Sequence, residues 1–452
     1  MKVLNPYTQE LIANVDLCDT AQIEEIISKG NEAKEIMEAL SSKNRSDILK
    51  AIVEGLEMHY HLFVSSIIKE SGKPYRYAKA EVDRAIQTLT IAVEETKRLP
   101  HELLDLDQTE KGAGLQGEVV YFPKGLIFGI SPFNFPLNLA VHKIAPAIAS
   151  GCPIILKPSS KTPVTMMHLA DIIKDTSMPD GGFQLVNCSR ENGNKIIEDE
   201  RIDLLSFTGS PEVGWKMKAA ARKKKVILEL GGNAAAIVCE DANMQLALDE
   251  LLVGGFAFSG QVCIHTQRIY VHKSAFEDFK TKFIEGVEQL KNADPMMEET
   301  TFSVMIDENN AKRVEKWVVE ALEAGATLLS GGKREGSYYA PTVLTNVPKG
   351  AKVLEEEVFG PVVVLESYSD FQEAIDQVND SRWGLQASIF TDSITKRALA
   401  FRNLKVGGLI HNKSTTFRVD NMPYGGIKDS GFGREGVKYA IQDFMEPKLL
   451  VR

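Results

Sequence analysis

The sequence predicts an α/β protein built on a mostly parallel sheet, and three observations predict it. Short apolar runs alternate five times with helical segments between residues 125 and 230. A second strand–helix series follows from residue 235. Between the two, the stretch ELGGN at 229–233 interrupts the apolar pattern with paired glycines and places a domain boundary near 231–232. A chain of 452 residues is too long for one core and divides into two or three domains.

Residues 20–100 read as helical. AQIEEIISKGNEAKEIMEAL and SDILKAIVEGLEMHYHLFVSSIIKES carry apolar residues at three- and four-residue spacing. From 118 the texture changes, and EVVYFPKGLIFGI has the composition of a strand pair broken by Pro-Lys-Gly. GLIFGI (125–130) precedes PLNLAVHKIAPAIASG, PIILK (153–157) precedes TPVTMMHLADIIKD, and FQLVN (183–187) precedes ENGNKIIED. DLLSF (203–207) precedes PEVGWKMKAAAR, and VILEL (226–230) closes the series. The second series holds AAIV (235–238), RIYVHK (267–272), VVVLES (362–367) and GGLIH (407–411). Residues 420–436 are turn-rich and read as an ordered loop, and 437–452 as a tail that adds a strand to a neighbour.

Composition narrows the function classes. An apolar fraction of 44% with 25% charged residues is that of an ordinary globular protein. The net charge is −10 and the basic residues are scattered apart from KKK at 223–225, which argues against nucleic acid as a partner. No apolar run approaches the roughly 18 residues that span a bilayer, and MKVLNPYTQE lacks the apolar core of a signal peptide. Cys18, Cys152, Cys188, Cys239 and Cys263 are odd in number with no CxxC pair. That pattern points to a reducing, cytoplasmic compartment without a disulfide framework or structural metal.

Polar residues gather where the strands end, which is where parallel sheets bind ligands. Asn134 lies in SPFNFP, Lys157 in KPSS, and Gly209 and Ser210 open a helix after DLLSF. Glu229 stands in an apolar strand, where an unpaired carboxylate is costly to bury. Cys263 follows the glycine-broken run GGFAFSGQ. Singly, Asn134 reads equally as a turn residue, Lys157 as exposed, Ser210 as an N-cap and Cys263 as a core filler. Together they suit a thiolate that adds to an aldehyde, an amide that steadies the oxyanion, and a carboxylate that activates water. The helix start at TGS offers N–H groups to a pyrophosphate, although no GxGxxG is present. Spacing alone reaches a cysteine enzyme on an α/β sheet, linked to a nucleotide.

With these residues in hand, the chain resembles the aldehyde dehydrogenase superfamily. The resemblance rests on PFNFP (132–136), KPSSKTP (157–163), FTGS (207–210), ELGGN (229–233), GQVCIHTQR (260–268), EEEVFGPV (355–362) and PYGGIKDSGFGREG (423–436). It implies Cys263 as nucleophile, Asn134 as oxyanion amide and Glu229 as deacylation base. It implies cofactor contacts at Ile130, Ser131, Lys157, Ser159, Ser160, Gly209, Ser210, Glu357 and Phe359. Lys143 and Glu435 match a proton path, with a structural salt bridge as the alternative. The implied fold is a parallel-sheet dinucleotide-binding domain (1–105 and 124–231), an α/β catalytic domain (232–430) and a small β oligomerisation element (106–123 and 431–452). That element implies a homodimer or homotetramer.

Three departures from the family pattern stand out. Ser160 replaces a carboxylate that would repel a 2′-phosphate, so NADP should be accepted, with a preference for it left open and NAD still admitted. TFSVMI (301–306) replaces a GP-containing segment, and the resemblance assigns it no cofactor contact. The chain also begins almost at NPYTQE, without a further leading strand.

HNKSTTFRVDNMPYGG (411–426), NLAVHKIAP (138–146) and KPSS look like the subgroup of lactaldehyde, glycolaldehyde and non-phosphorylating glyceraldehyde-3-phosphate dehydrogenases, with semialdehyde enzymes more distant. Arg418 could meet a substrate anion or fasten its loop to Asp420 or Asp429. His265 and Phe135 are candidate pocket residues, and His142 beside Lys143 stays undecided. The expected substrate is a small polar or anionic aldehyde. Two alternatives stay open: a CoA-acylating enzyme, which Glu229 disfavours, and a cysteine esterase without a hydride step, which leaves FTGS and EEEVFGPV without a role.

Overall fold

Five parallel strands form the sheet that the first strand–helix series predicts. The computed structural model describes residues 1–452. The spatial order is Phe183–Leu185, Ile154–Lys157, Ile127–Ile130, Leu204–Thr208 and Lys225–Glu229. Apart from the half-buried edge strand Phe183–Leu185, their residues are nearly all buried, so they read as continuous apolar runs rather than as alternation. The chain enters at Ile127–Ile130 and builds outward on both sides, which leaves a crevice at the strands' carboxyl ends where the order reverses.

Helices cover both faces. Asn138–Ser150 is buried along its whole length. It shares the largest core cluster with Ser42–Met58, Tyr60–Ser71 and Tyr75–Glu95, whose three- and four-residue apolar spacing supplies Ile48, Phe63, Val82 and Leu89. On the other face, Thr20–Ala39 packs Ile23 and Ile27 with Leu126, Phe128 and Leu205. An antiparallel hairpin, Lys2–Leu4 with Leu11–Asn14, precedes the helices and was not foreseen from sequence.

The second sheet has seven strands in the order Thr327–Ser330, Thr342–Thr345, Val362–Tyr368, Thr266–His272, Ala234–Val238, Gln386–Phe390 and Gly408–His411. All pairs but the first are parallel. The sequence reading found four of these strands. It missed TLLS and TVLT, each only four residues long, and the strand QASIF.

The third sheet corrects three expectations. The segment EVVYFPKGLIFGI is not a hairpin: Gln116–Pro123 pairs with Met445–Val451 and with His101–Asp105, while Ile127–Ile130 joins the parallel sheet. His101–Asp105, expected with the cofactor-binding residues, is therefore an edge of this antiparallel sheet. Gly431–Phe432, expected with the terminal element, pairs with Lys225–Glu229 instead. The physical reason is shared. Backbone ladders are completed by whichever strand lies alongside, and sequence adjacency does not decide which one does. No helix is long and apolar enough to cross a membrane.

Candidate active site

Strand register sets the first wall of the site. Ile130 stands opposite Lys157 and Phe207, and Thr208 opposite Glu229, so all the rim residues lie at one level. The Ser131 amide donates to the Lys157 carbonyl at 3.1 Å, and the Gly209 amide to the Glu229 carbonyl at 3.1 Å. The Ser131 hydroxyl is buried without a partner. The Lys157 ammonium reaches only the carbonyl of Pro158, at 3.4 Å, and burial lowers its pKa. Ser159 Oγ accepts from the Lys161 amide at 3.2 Å, while Ser160 is exposed beside a separate hollow lined by the N-terminal hairpin. Ser210 caps helix Pro211–Ala220 by position but makes no side-chain cap bond, so the first-turn N–H groups have no side-chain acceptor.

The second wall is a strained turn. After helix Met244–Phe256, Phe258, Ser259 and Gly260 take φ of 47°, 54° and 68°. A non-glycine residue in this region costs about 1–3 kcal/mol and persists only where surroundings enforce it. Here Ser259 Oγ donates to the Ser303 carbonyl at 2.7 Å, and Gln261 Oε1 accepts from the Ile306 amide at 2.9 Å. TFSVMI is thus the brace of the turn that precedes Cys263. Gly260 is required by contact as well as by φ, since a Cβ there would lie 2.2 Å from the Gly360 carbonyl oxygen.

A fully buried ion pair, Lys73 with Glu81, joins the two walls. Lys73 Nζ donates to the Asn134 carbonyl at 2.6 Å and lies 3.9 Å from the Phe135 ring centre and 4.6 Å from that of Phe258. Glu81 Oε1 accepts the amides of Leu137 and Asn138 at 2.9 and 3.3 Å, where helix Asn138–Ser150 begins. The Asn134 side-chain amide donates to the Gln261 carbonyl at 2.9 Å, two residues before Cys263. That leaves its second N–H without an acceptor.

A cavity of about 190 Å³ opens on Cys263. Phe135, Phe258, Ile264 and Leu139 form much of its wall, and Arg84, Arg418 and Tyr424 are its polar side. The Cys263 thiol lies 2.9 Å from the Tyr424 hydroxyl, and burial pushes its pKa up to about 11. The Arg418 guanidinium lies 3.7 Å over the Tyr424 ring, donates to Glu435 Oε2 at 3.3 Å and stands 3.9 Å from Asp420. It therefore both faces the cavity and fastens its loop. Asp420 also accepts from Arg84 at 2.7 and 3.1 Å and bonds the His142 ring at 2.7 Å. Burial and the nearby Arg418 charge lower the His142 pKa.

His265 is a correction. It is buried outside this cavity, its Nε2 faces the Gly255 carbonyl at 2.8 Å, and burial lowers its pKa to about 4. The turn after Cys263 directs it into the core and leaves Ile264 on the cavity wall.

Three carboxylates, Glu229, Glu435 and Glu357, are buried nearby. Glu229 is 3% exposed and neither oxygen has a hydrogen-bond partner. Burial, followed by the nearby Glu435 charge, raises its pKa well above the ordinary range. Glu435 accepts from Lys143 at 3.0 Å, and Lys143 also donates to Thr208 Oγ1 at 2.7 Å and Ser206 Oγ at 3.2 Å. Glu357 approaches from the second sheet. Its Oε1 accepts the Gly232 amide at 3.1 Å, and a Cβ at Gly231 would lie 2.1 Å from Oε2, which explains the paired glycines. Burial raises its pKa to about 7. Phe359, at φ 44°, meets Phe133 edge-on at 5.8 Å.

Sequence reasoning missed Lys73, Glu81, Arg84 and Tyr424. The first three lie in a helical stretch whose charged positions look solvated, and Tyr424 was quoted only as part of a glycine-rich block.

Known proteins resemble this chain over its whole length. The chain is 39% identical over 452 residues to 3-sulfolactaldehyde dehydrogenase of Priestia aryabhattai, covering all of this chain and 94% of that one. It is 38% identical to lactaldehyde dehydrogenase of Methanococcus vannielii, covering 100% and 97%. Aldehyde dehydrogenase 21 of Physcomitrella patens, solved with its reaction product succinate, superposes with a TM-score of 0.99 at 44% identity, covering 100% and 94%. Glyceraldehyde-3-phosphate dehydrogenase of Methanocaldococcus jannaschii, solved with NADP, superposes at 0.96 with 36% identity, covering 100% and 98%. The pattern of the aldehyde dehydrogenase family matches residues 1–450, and the chain belongs to that family.

Proposed function

We propose that this aldehyde dehydrogenase oxidises a small anionic aldehyde to its acid with NADP or NAD, carrying the acyl group on Cys263. The observation that carries the reading is a cavity closed on the Cys263 thiol and flanked by the guanidinium groups of Arg84 and Arg418. Both groups keep N–H donors that Asp420 and Glu435 do not take, and these suit a carboxylate, sulfonate or phosphate. The relatives named for sulfolactaldehyde and glyceraldehyde 3-phosphate, and the one solved with succinate, share an anionic group, which supports this class. It also brings semialdehydes forward from the more distant place that sequence alone assigned them.

The rim residues fit a dinucleotide. Ser131 has an unpartnered buried hydroxyl, Lys157 an ammonium bonded only to a local carbonyl, and Ser210 an uncapped helix start. Lys157 and Ser159 would hold the adenosine ribose or its phosphate, with Ser160 exposed at the outer end of the same loop. Gly209 and Ser210 would hold the pyrophosphate, and Glu357 and Phe359 the nicotinamide ribose, with Ile130 and Ser131 lining the crevice. Without an acidic side chain at 160, a 2′-phosphate meets no repulsion from that position. When bound, the nicotinamide supplies the hydride acceptor that sets the oxidation level of the acyl group on Cys263.

Cys263 adds to the aldehyde carbon, and the free N–H of Asn134 steadies the oxygen that becomes charged. Glu229 then takes a proton from the water that attacks the thioester. An unpartnered carboxylate of raised pKa suits that task and supports water, rather than CoA, as acyl acceptor. Lys143 and Glu435, bonded to each other and close enough for their charges to act on Glu229, are the candidates to pass that proton on.

Assembly follows from the third sheet. Leu103, Leu104, Leu449 and Leu450 are exposed on it, and its outer strands have free edges. A second copy meeting this sheet would give a dimer or tetramer. Five free cysteines, none of them paired, support a reducing cytoplasm.

The test is a panel of lactaldehyde, sulfolactaldehyde, succinate semialdehyde and glyceraldehyde 3-phosphate, run with both nicotinamides and followed by reduced-cofactor absorbance. Anionic aldehydes should turn over with the highest kcat/KM, and Cys263→Ala should abolish turnover. Strict CoA dependence with an acyl-CoA product, or ester cleavage with no reduced cofactor from any aldehyde, would overturn the reading.

A further inference from the structure

The Tyr424 hydroxyl stands on the nucleophile itself. It lies 2.9 Å from the Cys263 sulfur, on the wall of the cavity into which the thiol opens. Its ring is fixed from two sides. The Arg418 guanidinium lies over one face at 3.7 Å, and the Tyr424 amide and carbonyl exchange hydrogen bonds with Glu435 at 3.0 and 2.7 Å. A phenol held this rigidly loses little entropy in making its bond. A guanidinium on the ring face also draws charge from the oxygen and makes its O–H a better donor.

We propose that Tyr424 is a catalytic residue whose hydroxyl donates a hydrogen bond to the Cys263 thiolate, holding the sulfur on the cavity side and favouring its ionised form before the aldehyde arrives. The assignment rests on the reading of Cys263 as nucleophile.

The surroundings of the sulfur make such a donor necessary. Glu229 and Glu357 lie near enough to raise the thiol pKa, and Arg418 is the nearby cation that lowers it. Arg84 and Glu81 line the same cavity, and each is already engaged elsewhere, with Asp420 and with Lys73. No backbone or side-chain donor other than Tyr424 bonds the sulfur. When the thiol ionises, the phenol keeps its own proton and donates it into the new charge. When the sulfur bonds to carbon, that charge moves to the carbonyl oxygen and the phenol's partner is lost, so the bond favours the free thiolate over the adduct. Tyr424 therefore trades some acylation driving force for a larger thiolate population.

Tyr424→Phe keeps the ring and its contact with Arg418 and removes only the donor. The experiment follows iodoacetamide alkylation of Cys263 against pH in the full-length protein without aldehyde. Mass spectrometry of the Cys263 peptide keeps Cys18 out of the signal. The profile of Tyr424→Phe should be displaced upward by about one pH unit, with a roughly tenfold lower alkylation rate near neutrality. Its circular dichroism and Tm should match the wild type. A profile that overlays the wild type, or one displaced downward because the thiol was the donor, overturns the assignment. Alkylation needs neither aldehyde nor cofactor, so a failure here with Cys263→Ala still inactive leaves the proposed function standing. An enzyme that oxidises no aldehyde would leave the alkylation result to be judged on its own.

Discussion

Glu229 and Glu435 are both buried, lie close enough to sense each other's charge, and have opposite surroundings. Glu435 is held by Lys143, Arg418 and the Thr208 hydroxyl, and the nearby positive charge, Lys143 foremost, carries its pKa down to about 2 against the pull of burial. Glu229 has burial without bonds, and its pKa goes up. A chain selected for stability alone would satisfy both. The difference fits the proposed roles, with Glu435 bonded on several sides and Glu229 left unsatisfied, as a base that takes and releases a proton would be. Sites of this kind are where function is kept at the expense of stability.

The comparison breaks most sharply in kinetics. Glu229→Gln should lower steady-state kcat by about 10²–10⁴-fold while preserving one burst of reduced cofactor, read by stopped flow. Full steady-state activity would mean that the base lies elsewhere. Glu435→Gln should show in stability, because it leaves Lys143 and Arg418 buried with less compensation. A loss of about 3–5 kcal/mol in denaturant unfolding is expected near neutrality. The folded pKa of Glu435 lies below its unfolded value, so its contribution is present above the unfolded value and fades as pH falls toward about 2. The destabilisation of the variant should fade with it.

The smallest effect has the opposite sign. The folded pKa of Glu229 lies above its unfolded value, so the wild type is penalised once pH exceeds the unfolded value. Glu229→Gln should therefore raise Tm near neutrality, and this gain should vanish as pH drops below about 4. A variant that is less stable at every pH would contradict the picture of an unsatisfied base.

How much of this was legible depended on how local each feature is. Asn134, Lys157, Gly209 and Glu229 were found because parallel strands alternating with helices bring their carboxyl ends to one rim, and that alternation is written in consecutive residues. The roles given to these residues came from the family resemblance. Lys73, in the break between two helices, and Glu81 and Arg84, on the second of them, were not found, since a charged residue in an amphipathic helical stretch looks solvated until its partners are known. Their partners Asn134 and Asp420 are 61 and 336 residues away. His265 was misread because spacing after Cys263 says nothing of where a turn points the side chain. The brace at TFSVMI was invisible for a related reason: it acts through backbone carbonyls and amides, which carry no residue signature.

The left-handed run at 258–260 has a consequence for redesign. A methyl group at position 260 would strike the backbone of Gly360, and Phe258 and Ser259 already hold costly angles, so this segment has no freedom to absorb substitutions. New substrate range has to come from side chains that face the empty volume without holding the turn. Val253 and Thr416 meet that description, and a mutant library confined to them would explore new aldehydes while leaving the 258–260 turn and Cys263 untouched.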